Sequence, residues 1–262
     1  MVRITEKNSE RGVSETVGFI LIFAIVMAGI GLVTLYGYPI LVQEQANANI
    51  RNMEKNMIVL QSDLDSLTFK NVPYQETTMQ VSGGTLFVKG PSLSDQQFLI
   101  NKTDYPAEFL SNSFSPGEMS YESDDRNTII SLENGAVHKR YWNDITGSAM
   151  ISDPRWFYDT DTGTLVITFI QVYSESQLSQ TGIGTVQMKV SKLPEYELSI
   201  PLYAEKITIT YVPDAKNNYK VAWHNYFSSF PENAFSGTDA KLTVNNVNQL
   251  VVKAYRVTIV GI

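Results

Sequence analysis

Apolar residues follow three different patterns along this chain. No residue from 17 to 42 is charged, and 17–36 is a run of about 20 apolar or small residues, the length that crosses a ~30 Å hydrocarbon layer as a helix. Ala46, Ile50, Met53, Met57, Leu60, Leu64 and Leu67 then recur at alternating four- and three-residue steps, with Arg51, Glu54, Lys55 and Asp63 off the seam. That stripe predicts an amphipathic helix needing a partner surface, either the chain's own β-domain or another copy in a coiled coil or filament. Beyond Lys70 the pattern shortens to β-type runs broken by Gly, Pro, Asn and Asp. The runs are 79–81, 85–88, 98–101, 128–132, 136–141, 164–173, 184–190, 196–202, 206–212 and 249–260. One late helix interrupts them, with Tyr219, Ala222, Trp223, Tyr226, Phe227 and Phe230 on one face. The expected fold is α+β: a long N-terminal helix, half transmembrane and half amphipathic, then an antiparallel sandwich-like domain.

Charge places the ends. Arg3, Lys7 and Arg11 precede the apolar run and the next basic residue is Arg51, which predicts a cytoplasmic N-terminus and an exterior C-terminal domain. Three acidic residues, Glu6, Glu10 and Glu15, cancel those three cations, so the net charge of −7 belongs to the exterior part. Tyr36 and Tyr38 fall where an aromatic belt meets the outer interface, and Pro39 predicts a kink just beyond it. Gly37-Tyr38-Pro39 is unlike the small-residue site of a secretory signal peptide, so the helix is expected to stay.

Composition then narrows the chemistry. There is no cysteine, which removes disulfides, thiolate metal sites and cysteine nucleophiles. Two histidines, His138 and His224, are too few and too separated in sequence for a His-based zinc site. A pI near 4.9 disfavours nucleic acid, since phosphate needs a basic face. Neither a phosphate-binding loop nor a Gly-x-Ser-x-Gly elbow occurs, and the expectation is no enzyme and no cofactor.

Arg11-Gly12 followed by Val13-Ser14-Glu15 and the apolar run resembles the class III signal of archaeal type IV pilins and archaellins. The resemblance implies that a prepilin peptidase cuts between Gly12 and Val13. Glu15 would then be the third mature residue, whereas bacterial pilins that register subunits with a glutamate carry it at the fifth; a first-turn carboxylate after an N-cap Ser14 is the simpler reading. The likeness extends through Val81-Ser82-Gly83-Gly84, Glu133-Asn134-Gly135-Ala136-Val137, the segment 154–163 and Ala222-Trp223-His224-Asn225-Tyr226-Phe227. Over nearly its whole length the chain is similar to uncharacterised archaeal pilin-like membrane proteins. That implies a leader at 1–12, a transmembrane helix at 13–38, an amphipathic helix at 39–70 and an exterior domain at 71–262, with no catalytic residue to carry over.

The remaining motifs are weighed as local chemistry. Asp159-Thr160-Asp161-Thr162-Gly163 has part of a calcium-loop pattern but lacks the third acidic position and the distal Glu, so a hairpin turn is the expectation. Asp124-Asp125 reads as a solvated loop. His138 stands beside Lys139 and Arg140, cations that would lower its pKa, and His224 falls on the polar face of the late helix. Asn101-Lys102-Thr103 is a glycosylation sequon. Ala24 and Ala28, four apart, permit close helix packing. The expected partners are a lipid bilayer, a prepilin peptidase and other copies in an oligomer or filament. The expected function is a membrane-anchored, pilin-like surface protein of structural or interaction type. The alternative is an anchored ligand-binding ectodomain that uses Trp142 and Trp156 as aromatic anchors.

Overall fold

The computed structural model describes residues 9–102, 113–125, 127–141, 147–215, 217–230 and 239–262, with side chains described from Glu15 onward and that of Lys102 excepted. Arg3, Lys7, Thr103 and Trp142 lie outside the described residues, as do the side chains of Arg11, Gly12 and Val13. The chain divides into two compact units, Met1–Asn49 and Ile50–Ile262.

The N-terminal unit is helical. α1 spans Ser9–Leu32, a π-helical turn covers Val33–Gly37, and α2 spans Tyr38–Phe69. Ser14 therefore lies inside α1, which begins at Ser9, and is not an N-cap. Pro39 lacks an N–H, and its ring crowds the preceding turn of a regular α-helix. The π-helical turn just before it, closed by the Tyr38 N–H on the Val33 carbonyl, widens the spiral and lets the helix continue. Thr34 Oγ1 donates to the Ile30 carbonyl at 2.9 Å, occupying its hydroxyl on the helix itself.

In the second unit, residues 50–69 of α2 lie against strands. Met53, Met57, Leu60, Leu64 and Leu67 of the stripe are buried, so its partner is the chain's own sheet. Among the described residues eleven strands follow: β1 Tyr74–Lys89, β2 Gln97–Lys102, β3 Glu118–Ser123, β4 Thr128–Glu133, β5 Ala136–Tyr141, β6 Ser148–Ser152, β7 Phe157–Asp159, β8 Thr164–Tyr173, β9 Leu178–Lys192, β10 Leu198–Val212 and β11 Lys241–Gly261. α3 spans Lys220–Ser228. The order is β2-β10-β11-β9-β1-β3-β4-β5-β6, with β8 pairing β11 and β7 pairing β8. All pairings are antiparallel except β8 with β11.

The pattern behind several expected runs was interrupted by bulges that do not end a strand. The runs at 79–81 and 85–88 are both parts of β1, whose register shifts between Val81 and Leu86. Gly84 is required there: a Cβ would lie 2.4 Å from the Glu122 carbonyl and 2.5 Å from the Tyr121 ring. The run at 206–212 and most of that at 196–202 are likewise one strand, β10, bulged between Pro201 and Ile207. β3, β6 and β7 were not expected, being polar or short.

β11 ties the unit together. β9 and β10 run in succession along it, Lys192 facing Tyr255 and Leu198 facing Val252, while β8 covers its other edge from Gln249 to Thr258. Leu250, Val252 and Ala254 point into an aromatic core with α3, whereas Val257 and Ile259 point into the aliphatic core under α2. Side chains alternate between the two faces along a strand, so these sets occupy opposite faces of β11. The same switch occurs in β8, from Leu165, Ile167 and Phe169 to Ile170 and Val172.

Candidate functional site: an apolar helix and a buried polar layer

The first feature is the helix of the N-terminal unit. Every large apolar side chain from Val17 to Val42 is exposed, Phe19, Ile25 and Leu35 each 71%. Such a surface carries an unfavourable hydration free energy of about 25 cal/mol per Å². One helix near the N-terminus is thus long and apolar enough to cross a membrane. Tyr36 and Tyr38 are exposed toward the C-terminal end of the run and Glu15 just before its start.

The second feature lies in the domain. β3, β4 and β5 form an antiparallel meander in which Met119, Tyr121, Ile130, Leu132 and Val137 face the α2 core. The alternate residues face the other way: Glu118, Ser120, Ser131, Glu133, His138 and Arg140, all buried. A polar strand face is normally wetted, but here Tyr211, Asn217, Tyr219 and Trp223 roof it.

The roof supplies hydrogen bonds. Glu118 Oε2 accepts from Ser131 Oγ at 2.8 Å and Tyr219 Oη at 3.2 Å. Glu118 Oε1 accepts a very short bond from Asn217 Nδ2 and lies 3.4 Å from Lys89 Nζ. Arg140 Nη2 donates to Asn217 Oδ1 at 3.4 Å. Glu133 Oε1 accepts from Trp223 Nε1 at 3.2 Å and Oε2 from Tyr211 Oη at 3.4 Å. Two segments that carried the sequence resemblance, 133–137 and 222–227, therefore meet through Glu133 and Trp223.

Burial sets the protonation of this layer. Glu133 is held well above the usual carboxylate range, first by desolvation and then by the neighbouring Glu118, against weaker help from Trp223 and Tyr211. Burial therefore favours its neutral form. His138 stacks on Tyr219 with centroids 4.9 Å apart, and its pKa falls to about 3 through desolvation. The neighbouring cations Lys139 and Arg140, expected to cause that fall, are not its cause.

The other sequence candidates are dispersed. Gly12 and Val13 lie within α1 by backbone. Asn101 sits half-buried in β2 opposite Thr208. Asp159 closes the β7–β8 turn by accepting from the Asp161 N–H at 3.1 Å and the Thr162 hydroxyl at 2.8 Å, which draws its pKa down. Asp125 does the same between β3 and β4 with Ser123 and Asn127. His224 Nδ1 lies 3.3 Å from the Asp239 carbonyl, away from the layer. Trp156 is not a surface anchor; it is buried in the aromatic core, its Nε1 donating to the Thr168 carbonyl at 2.8 Å. Among the described residues no group of three or more His, Cys, Asp or Glu could hold a metal.

Sequence reasoning missed Lys89, Glu118, Glu133, Arg140 and Asn217 as a group. The available signal was the alternation Glu118-x-Ser120, Ser131-x-Glu133 and His138-x-Arg140, which reads equally well as a solvated sheet face.

Residues 11–260 match the model of a family of unknown function (DUF7289), and the chain belongs to that family. No curated protein and no solved structure matches it.

Proposed function

We propose that this family member is a single-pass, membrane-anchored surface protein of structural or interaction type. Its N-terminus lies in the cytoplasm and its β-rich domain outside. The observation that carries the reading is the uncharged helix from 17 to 42, whose large apolar side chains are all exposed. Cations confined to its N-terminal flank support the orientation. In the finer version the chain is pilin-like: a prepilin peptidase removes residues 1–12, Val13 becomes the mature N-terminus, and the helices pack together in a homo-oligomer or filament. Its support is the resemblance of 11–15 and the run that follows to a class III signal.

N-terminal sequencing of protein recovered from membranes and from sheared surface filaments tests both levels. The coarse reading expects recovery in the detergent phase and loss of the C-terminal domain when protease is added to whole cells. The finer reading expects a start at Val13 in filaments; a start at Met1 or Val2 in every fraction removes it while leaving the anchor intact.

The second reading, a ligand-binding ectodomain, has one feature in its favour: an open depression of about 360 Å³ lined by Glu175, Lys189, Ser191 and Thr258 among others. No described residue lining it is aromatic, and Trp156 is buried elsewhere, so the structural reading is the better supported.

A further inference from the structure

Lys89, Glu118 and Asn217 come from three distant parts of the chain, β1, β3 and the segment before α3, and converge on one carboxylate oxygen. Lys89 and Glu118 are cross-strand partners in the β1–β3 register, so their side chains leave the sheet on the same face. Glu118 Oε2 is engaged by the Ser131 and Tyr219 hydroxyls, which turns Oε1 toward two nitrogens: Lys89 Nζ at 3.4 Å and Asn217 Nδ2 in a very short hydrogen bond. Lys89 Nζ also lies 3.3 Å from Glu122 Oε1. On its other side the Asn217 amide presents Oδ1 to Arg140 Nη2 at 3.4 Å. Glu118 and Asn217 are almost wholly buried, and the Lys89 side chain is 22% exposed. An amine, an amide carbon, a proton carrier between them and a cation on the amide oxygen are the parts an acyl transfer needs.

We propose that Lys89 and Asn217 are joined by a self-formed amide bond, with Glu118 as proton carrier and Arg140 as the donor that stabilises the oxyanion. Glu118 takes a proton from the Lys89 ammonium, and the freed Nζ lone pair attacks Asn217 Cγ. The Nζ–Cγ bond forms while the carbonyl electron pair moves onto Oδ1 beside Arg140. Glu118 delivers its proton to Nδ2 and removes a second one from Nζ. The electron pair returns from Oδ1, the Cγ–Nδ2 bond breaks, and the nitrogen leaves with the second proton as ammonium. The carboxylate is restored, so no oxidant, nucleotide or cofactor is consumed. Fixing all the groups within one folded domain replaces an encounter in solution with a unimolecular step. The product ties β1 of the α2-covered core to the roof of the polar layer, constraining the unfolded chain as a disulfide does in proteins that have cysteine. This chain has none.

The test is mass spectrometry of the full chain purified in detergent, with proteolytic mapping. The expected result is a branched peptide containing Lys89 and Asn217, lighter by one ammonia than its two parts, and resistant to reductant and boiling. Recovery of both residues only in separate, full-mass peptides would overturn the proposal. The Asn134-Gly135 turn can also shed ammonia by forming a succinimide, so a deficit mapping there and not to the Lys89–Asn217 pair also counts against it. Glu118→Gln and Lys89→Arg should each give full-mass peptides, with far-UV circular dichroism unchanged and a lower melting temperature. A branched peptide persisting in Glu118→Gln removes the proton-carrier role.

Discussion

The two halves of the long N-terminal helix are both rich in apolar residues and end in opposite environments. From Val17 to Val42 the large apolar side chains cover the whole circumference and all are exposed. From Met53 to Leu67 they form one stripe, buried to 1% or less, while Ile58 and Val59 off the stripe stay exposed. The halves differ both in how apolar they are and in how the apolar groups are distributed around the axis. A ring of apolar groups can be satisfied only by a surrounding apolar medium, a stripe by a single surface.

The largest expected effect is on the stripe. Leu60→Ala leaves a cavity between α2 and the sheet and should cost about 2–5 kcal/mol, whereas Val59→Ala one position away should change stability by less than about 0.5 kcal/mol. Chemical denaturation of both proteins in one detergent measures the difference, and equal losses would mean that the stripe is not the packed face.

Next in size is an acid-dependent loss that contrasts the α2 face of β3–β5 with their polar face. His138 has its folded pKa depressed from 6.5 to about 3, so the unfolded chain binds the extra proton between those values. Stability should be full above about pH 6.5 and fall toward pH 3 at up to about 1.4 kcal/mol per pH unit. Glu133 acts oppositely: its raised pKa gives a contribution that is present below the unfolded value of 4.5 and lost as pH rises through the folded one. Melting temperatures across pH should show His138→Gln flattening the acid limb and Glu133→Gln the alkaline limb. Unchanged limbs would mean that the polar face is wet.

In the apolar half, if the helix is inserted as proposed, Ile25→Arg should disfavour insertion by about 3–4 kcal/mol and reduce recovery in the membrane fraction, with no effect on melting of the domain. A drop in domain stability instead would place Ile25 in protein contact. The smallest expected effect comes from Gln61, buried on α2, whose Nε2 donates to the Gly135 carbonyl at 2.7 Å and the Asp153 carbonyl at 2.9 Å. Gln61→Leu strands both carbonyls and should cost about 1–3 kcal/mol, measured by the same denaturation series.

Much of the architecture was legible from periodicity. β5 and β8 were expected with the bounds they have, and the late helix with its buried face, because alternation and 3.6-residue spacing are local properties. The bulges in β1 and β10 were read as breaks because Gly83-Gly84 and the polar residues near Ala204 resemble turn chemistry, while only pairing with β9 and β11 carries the strand across them. β3 was invisible because Glu118, Ser120 and Glu122 alternate with only two apolar residues, Met119 and Tyr121.

The sequence by itself determined that a ring of uncharged apolar residues precedes a striped helix and a β-rich domain, since each depends on residues close together in the chain. It also determined the absence of disulfides and the bias of cations to one flank. Only the tertiary structure decided that two cores occupy opposite faces of β11, and that Lys89, Glu118, Arg140 and Asn217 share one buried layer. Those relations join residues as distant in sequence as Lys89 and Asn217, and nothing in a local pattern says whether a polar strand face will meet water or a roof of Tyr219 and Trp223.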